Sequence, residues 1–239
     1  MQLSILSDKI INKFLNQILL TGENMTEIDK TEEEKEIFNK LKAQLIEHPN
    51  SASLHYNLGL AYVRRGELDE AISEFKHAIR INPQLLEAYV NLGGVYFRKG
   101  NLESCIEQNR KALEVNPDFV PAQVNLGFAY FQQGKFDEAV EQYQKALKNA
   151  PQFPRIYANL GIVYFYQGNL EAAIRENQRA IELDPKFGLA YHNLALAFFQ
   201  KGDYKSAIFN LDKAIELGFP VNPELKNKLE VYRNHNICE

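Results

Sequence analysis

The residue types that could do chemistry in this chain are five histidines (His48, His55, His77, His192, His235), two cysteines (Cys105, Cys238) and 31 acidic residues. Metal ligation wants such groups at short, regular spacings, and nucleophilic or phosphoryl chemistry wants them at a strained or glycine-rich turn. The histidines are scattered, and no two share metal-ligand spacing on one predicted helix. The cysteines have no paired spacing, so neither a disulfide framework nor a zinc site is read from them. No phosphate-binding loop, nucleophile elbow or His-Glu-x-x-His segment occurs. The acids fall at salt-bridge spacing from Lys and Arg, as on solvated helix faces. No metal, no cofactor and no small-molecule substrate is expected, and the chain does not read as an enzyme.

Asparagine carries a different chemistry. Asn57, Asn91, Asn125, Asn159 and Asn193 recur 34 residues apart. A carboxamide offers donors and an acceptor together, so it can hold a peptide unit of an extended chain without reading its side chain. Beside this column run Leu60, Gly94, Phe128, Ile162 and Leu196, and nearer the rim Val63, Phe97, Phe131, Phe165 and Phe199, with Arg64 and Arg98 adding positive charge. The candidate peptide-binding set is therefore the five asparagines with Leu60, Arg64, Arg98, Phe128, Ile162 and Leu196. An alternative reading has the asparagines bonding to the adjacent repeat and fixing the superhelix.

The elements that must position these residues follow from the same period. Pro49, Pro83, Pro117, Pro151 and Pro185 stand 34 residues apart, and Asn-Leu-Gly recurs at 57, 91, 125 and 159, with Asn193-Leu194-Ala195 as a near copy. A fixed period of this length marks a solenoid whose repeats bury their apolar faces only by stacking. Within 52–85, Leu58, Gly59, Tyr62 and Val63 follow helical spacing, Gly66 stops the pattern, and Ala71, Phe75, Ala78 and Ile79 begin a second helix that ends before Asn82-Pro83. Gly66, Gly100, Gly134, Gly168 and Gly202 mark the turn between two antiparallel helices, and the acids Asp69, Glu103, Asp137 and Glu171 complement the dipole of the second. Repeats two and four carry Asn109 and Asn177 where repeats one and three carry Phe75 and Tyr143. Those two asparagines read as packing residues satisfied by neighbouring backbone, with a polar contact for a partner as the alternative.

The pattern closely resembles the tetratricopeptide repeat family, seen in the second repeat as Tyr89, Leu92, Gly93, Tyr96, Cys105, Asn109, Ala112 and Pro117. His55 and Gln123 depart from it, standing where a large apolar residue is usual. The resemblance implies an all-α fold, a right-handed α-solenoid of stacked antiparallel helix pairs, and a protein or peptide partner bound in the concave groove by an adaptor or assembly factor. The asparagine column is similar to the asparagine ladder in the tetratricopeptide domain of O-linked N-acetylglucosamine transferase. The family's clamp for acidic chaperone tails is not expected, because Tyr56, Leu60 and Asn125 stand where its Lys, Asn and Arg belong. The rival reading is a self-assembling scaffold similar to the magnetosome-associated members of the family.

The expected organisation is an amphipathic helix and linker over 1–30, a degenerate capping helix over 31–51, five repeats (52–85, 86–119, 120–153, 154–187, 188–221) and a capping helix and tail over 222–239. Thr31 and Glu34 form a capping box, and Ile37, Phe38, Leu41 and Leu45 share the face that covers the first repeat. Leu225, Leu229 and Tyr232 form the stripe of the last helix. Segment 3–20 could dock on the chain itself or build a homo-oligomer. Membrane contact is disfavoured, because its polar face carries few cations. A net charge of −4 with no basic stripe argues against nucleic acid, and a chain without signal or spanning segment reads as cytoplasmic.

Overall fold

In the computed structural model of the chain, residues 32–235 are described, with side chains for 35–233. They fall into two compact units, 32–129 and 130–235. The described residues are helical throughout and joined by short turns: α1 (Glu32–Glu47), α2 (Ala52–Arg65), α3 (Leu68–Ile81), α4 (Leu86–Arg98), α5 (Leu102–Val115), α6 (Val120–Gln132), α7 (Phe136–Asn149), α8 (Pro154–Tyr166), α9 (Leu170–Leu183), α10 (Gly188–Lys201), α11 (Tyr204–Glu216) and α12 (Pro223–His235). Segment 3–20, the Thr31 side of the capping box and Cys238 lie outside the described residues.

The helix pair is made by its turn. Gly66 adopts φ +76°, and its N–H donates to Val63 O at 3.1 Å while Glu67 N–H donates to Tyr62 O at 3.0 Å. This double closure satisfies the last carbonyls of α2 and is cheap only for a residue without Cβ. The other turn glycines repeat it with φ between +72° and +82°. The link between repeats is a second device. Asn82 Oδ1 accepts from Gln84 N–H at 3.0 Å, Asn116 Oδ1 from Asp118 N–H at 3.0 Å and Asp184 Oδ1 from Lys186 N–H at 2.9 Å, bracketing the proline that cannot continue the helix.

In the N-terminal unit α2 packs on α3, α4 on α5, and α3 on α4, so that α2 and α4 lie side by side. The core gathers Leu58, Tyr62, Ala71, Phe75, Leu92 and Val95. At about 1.5–3 kcal/mol for each buried large side chain, this layer outweighs helix propensity. The small residue of α2 is needed for the approach: a Cβ on Gly59 would stand 2.7 Å from the Phe75 ring. Helix α1 closes the open end, with Phe38 and Tyr62 in a T-shaped contact at 5.2 Å and Arg65 over the Phe38 ring at 4.4 Å. Ile37, expected on the same buried face, is instead 46% exposed. It precedes Phe38 by one residue and so lies about 100° round the helix.

In the C-terminal unit α7 packs on α8, α8 on α9, α9 on α10 and α10 on α11, with α8 beside α10. Its last layer is Ala195, Leu196, Ala207 and Leu211 against Leu225 and Leu229 of α12. Tyr232 stacks on Tyr204 at 3.6 Å, and Arg233 grips Asp212 through two bonds of 2.6 and 3.1 Å. The fold is an all-α solenoid of antiparallel helix pairs, as the period requires. No helix among the described residues is long and apolar enough to cross a membrane.

Candidate functional site

The five column asparagines sit on the first helix of each repeat, and their burial separates the two units. In the N-terminal unit Asn57 is exposed, and Asn91 and Asn125 are partly exposed. Both N–H bonds of Asn91 are engaged, to Tyr56 Oη at 3.1 Å and to Glu87 O at 2.8 Å. Its Oδ1 is thus the group it can offer, as an acceptor. Burial first, and then the charge of Glu87, pushes the Tyr56 phenol up, so it remains the neutral hydroxyl that this bond needs.

In the C-terminal unit Asn159 and Asn193 are each only 4% exposed. Asn193 donates to Ala158 O and to Asn177 Oδ1, both at 3.1 Å. Asn159 lies against the fully buried Tyr143, within hydrogen-bonding reach of its phenol. Asn193 thus bonds the preceding repeat, whereas Asn159 Nδ2 is buried without a hydrogen-bond partner.

The apolar column divides too. Leu60 and Ile162 are half-buried side chains of the first-helix face. Phe128 and Leu196, expected beside them as contacts for a guest chain, are each 3% exposed. Phe128 meets Phe97 at 5.0 Å, and Leu196 belongs to the core under α12. The reason is the size of the neighbours: an aromatic at 97 and an apolar cap at 225 and 229 fill the space that a ligand would need. Arg64 is exposed. Arg98 is partly buried, which lowers its pKa from the usual arginine value, and it reaches Val63 O at 3.4 Å.

Asn109 and Asn177 are buried packing residues. Asn109 Nδ2 donates to Cys105 O at 2.8 Å and Asn177 Nδ2 to Ala173 O at 2.7 Å. Each fills the notch over a first-helix glycine, where a Cβ on Gly93 would meet Asn109 at 2.5 Å and one on Gly161 would meet Asn177 at 2.1 Å. Burial pushes the Cys105 thiol beside Asn109 up to about 12, so it behaves as a small apolar side chain.

Two arrangements were not read from the sequence. The acid in the first turn of the second helix also bonds the following repeat: Lys99 Nζ to Asp69, Gln167 Nε2 to Asp137 at 2.7 Å, and Lys201 Nζ to Glu171 at 3.5 Å. The constant spacing of 30 residues between Lys99 and Asp69 and in the other two pairs was the available signal. The second is a cluster of His55, Glu74 and His77. The two departures from the repeat consensus at 55 and 77 were its signal, but only the packing of α2 on α3 joins them.

The sequence matches the family described as TPR repeat over residues 59–100, 93–134, 127–168 and 163–202, and the one described as tetratricopeptide repeat over 189–217. No curated protein sequence matches the chain. Among solved structures, MamA is 27% identical over 67% of this chain and 94% of its own, with a TM-score of 0.60. MamA from residue 41 onward of Desulfovibrio magneticus RS-1 is 25% identical over 70% of this chain and 94% of its own, at 0.63. YrrB, a TPR protein with an unusual peptide-binding site, shares the fold at 21% identity, 74% and 91% coverage and 0.59.

Proposed function

The chain belongs to the tetratricopeptide repeat family, whose stacked helix pairs serve as protein-interaction scaffolds, and from that premise we propose that its N-terminal unit binds an extended segment of a protein partner. The occupied face is that of α2, α4 and α6. Asn57, Asn91 and Asn125 meet the backbone of the guest segment, Leu60 receives an apolar side chain, and Arg64 favours an acidic residue nearby. The observation that carries this reading is the contrast in burial: the register position closed at Asn159 and Asn193 stays open at Asn57, Asn91 and Asn125. An extended chain leaves its N–H and C=O groups unpaired, and carboxamides at regular intervals satisfy them.

A photo-crosslinking residue at Leu60, and in a control at the exposed Phe153, tests the face in native extract. The reading expects one partner segment captured from Leu60 and not from Phe153. That segment, made as a peptide, then binds the Asn57→Ala, Asn91→Ala, Asn125→Ala triple variant at least tenfold more weakly while helicity is unchanged. Equal affinity for the triple variant overturns the proposal. Self-assembly through segment 3–20 is the rival, and that segment lies outside the described residues. Light scattering of the full chain against one starting at residue 31 distinguishes them: an oligomer lost on truncation favours assembly, and a monomer in both favours the peptide-binding reading.

A further inference from the structure

His55 of α2 and the pair Glu74 and His77 of α3 bring one ligand atom each within 4.8 Å of the others. Glu74 and His77 are three residues apart on one helix, so they project from adjacent turns of the same face. His55 comes from the partner helix, and its ring stands 5.0 Å from that of His77 at 82°. Two imidazole nitrogens and one carboxylate oxygen, from two rigid helices, are the donor set of a divalent transition ion of the zinc class.

The orientation of His55 favours ligation. Its Nε2 lies 3.1 Å from Pro49 O, and a carbonyl can only accept, so Nε2 carries hydrogen and donates. That bond turns Nδ1 towards Glu74, whose Oε2 is 2.6 Å away; with hydrogen already on Nε2, this contact holds a second proton, which the ion replaces and releases to solvent. A metal-binding histidine is commonly held in this way, with its second nitrogen on a backbone carbonyl. Two ligands of a tetrahedral ion at about 2.0–2.2 Å stand roughly 3.4 Å apart. Glu74 must therefore withdraw by roughly 0.8 Å to admit the ion, and a half-buried side chain with three rotatable bonds does so by a small rotamer change.

The register within the chain makes the cluster exceptional among the repeats. The equivalents of His55 are Tyr89, Gln123, Tyr157 and Tyr191, and those of His77 are Lys111, Lys145, Arg179 and Lys213. Four repeats thus place a permanent cation where repeat one places an imidazole, and none pairs it with a second histidine. The fold does not require either histidine. We propose that His55, Glu74 and His77 form a three-ligand site for a divalent transition-metal ion, with Zn(II) as the natural occupant class, that clips α2 to α3 in the first repeat. His55 is buried while Glu74 and His77 are partly exposed, so the ion is approached from the solvent side and its fourth position is filled by water or by a donor from a partner.

The test uses untagged full-length protein, titrated calorimetrically with zinc sulfate and followed by the visible absorption of its Co(II) complex. The site predicts one ion per chain and a tetrahedral cobalt spectrum. His55→Tyr and His77→Lys restore residue types that other repeats carry, so both are expected to fold, and each should weaken binding at least tenfold and abolish the spectrum. Glu74→Gln should weaken it in the same direction. Zinc should raise the melting temperature of the parent protein and leave that of His77→Lys unmoved. No binding to the parent protein overturns the proposal. Equal binding by parent and variants does too, because it assigns the ion to other surface groups, and a cluster that only hydrogen-bonds gives one of these two results.

Discussion

The same asparagine is left open in one unit and buried in the other, and its neighbours decide which. Asn91 is met by Tyr56, whose hydroxyl takes one N–H, and the second-helix residue 16 positions before it is the apolar Phe75. Asn193 occupies the equivalent place three repeats later, where Ala158 replaces Tyr56 and Asn177 replaces Phe75. A methyl in place of a phenol lets the amide reach the main-chain oxygen of residue 158, and Asn177 supplies a second acceptor. The amide is drawn inside and becomes structural. A repeated residue is therefore a repeated opportunity, and its role is set one helix away.

The contrast breaks hardest at the glycines under the packing asparagines. Gly161→Ala puts a Cβ 2.1 Å from an amide held on one side by Ala173 O and on the other by Asn193. Gly93→Ala meets Asn109 at 2.5 Å, where the amide has its bond to Cys105 O while Oδ1 is buried with no hydrogen-bond partner. The first should cost about 3 kcal/mol and the second about 2, overpacking outweighing the gain in helix propensity. Urea denaturation of both variants gives the order, and a reversed order means Asn177 yields more easily than its bonds imply.

A pH titration probes the next difference. His192 stands in the C-terminal unit where Tyr56 stands in the N-terminal one. Burial holds its imidazole down to about 4, against a weaker opposing pull from its bond with Asn193. As pH falls through 6.5 the unfolded chain takes up this proton, and the folded chain does not until about 4. Stability present above pH 6.5 is therefore lost as pH drops towards 4, by on the order of 3 kcal/mol. Hydrogen exchange at pH 7 and pH 4.5 should show the loss in α8, α10 and α11, and His192→Gln should remove it.

Much of the fold was legible because its signals are local. Gly66 and its equivalents announce a positive φ, proline excludes helix continuation, and the stripe Leu225, Leu229 and Tyr232 lies on one turn-by-turn face. The site was legible only as a set of positions. Whether Asn193 is free depends on residues 158 and 177, 35 and 16 places earlier, whose convergence is a property of stacking and not of any short window. The burial of Phe128 and Leu196 has the same origin, since each is covered by side chains of another helix. The cluster of His55, Glu74 and His77 also needs two helices to exist.

Single asparagine changes sharpen the comparison most finely, and they read on two scales. Asn193→Ala removes a second donor from the helical Ala158 O and leaves the buried Asn177 Oδ1 without its donor, at about 1–2 kcal/mol of stability. Asn57→Ala, at an exposed position, should change stability by less than about 0.5 kcal/mol. Its effect belongs on partner affinity, where one lost contact of roughly 0.5–1.5 kcal/mol is about two- to twelvefold. Urea midpoints for the first quantity and peptide titration for the second give a crossed pattern, each variant silent where the other speaks. If Asn57→Ala destabilises as much as Asn193→Ala, the N-terminal amides are structural as well, and the open face loses its chemical basis.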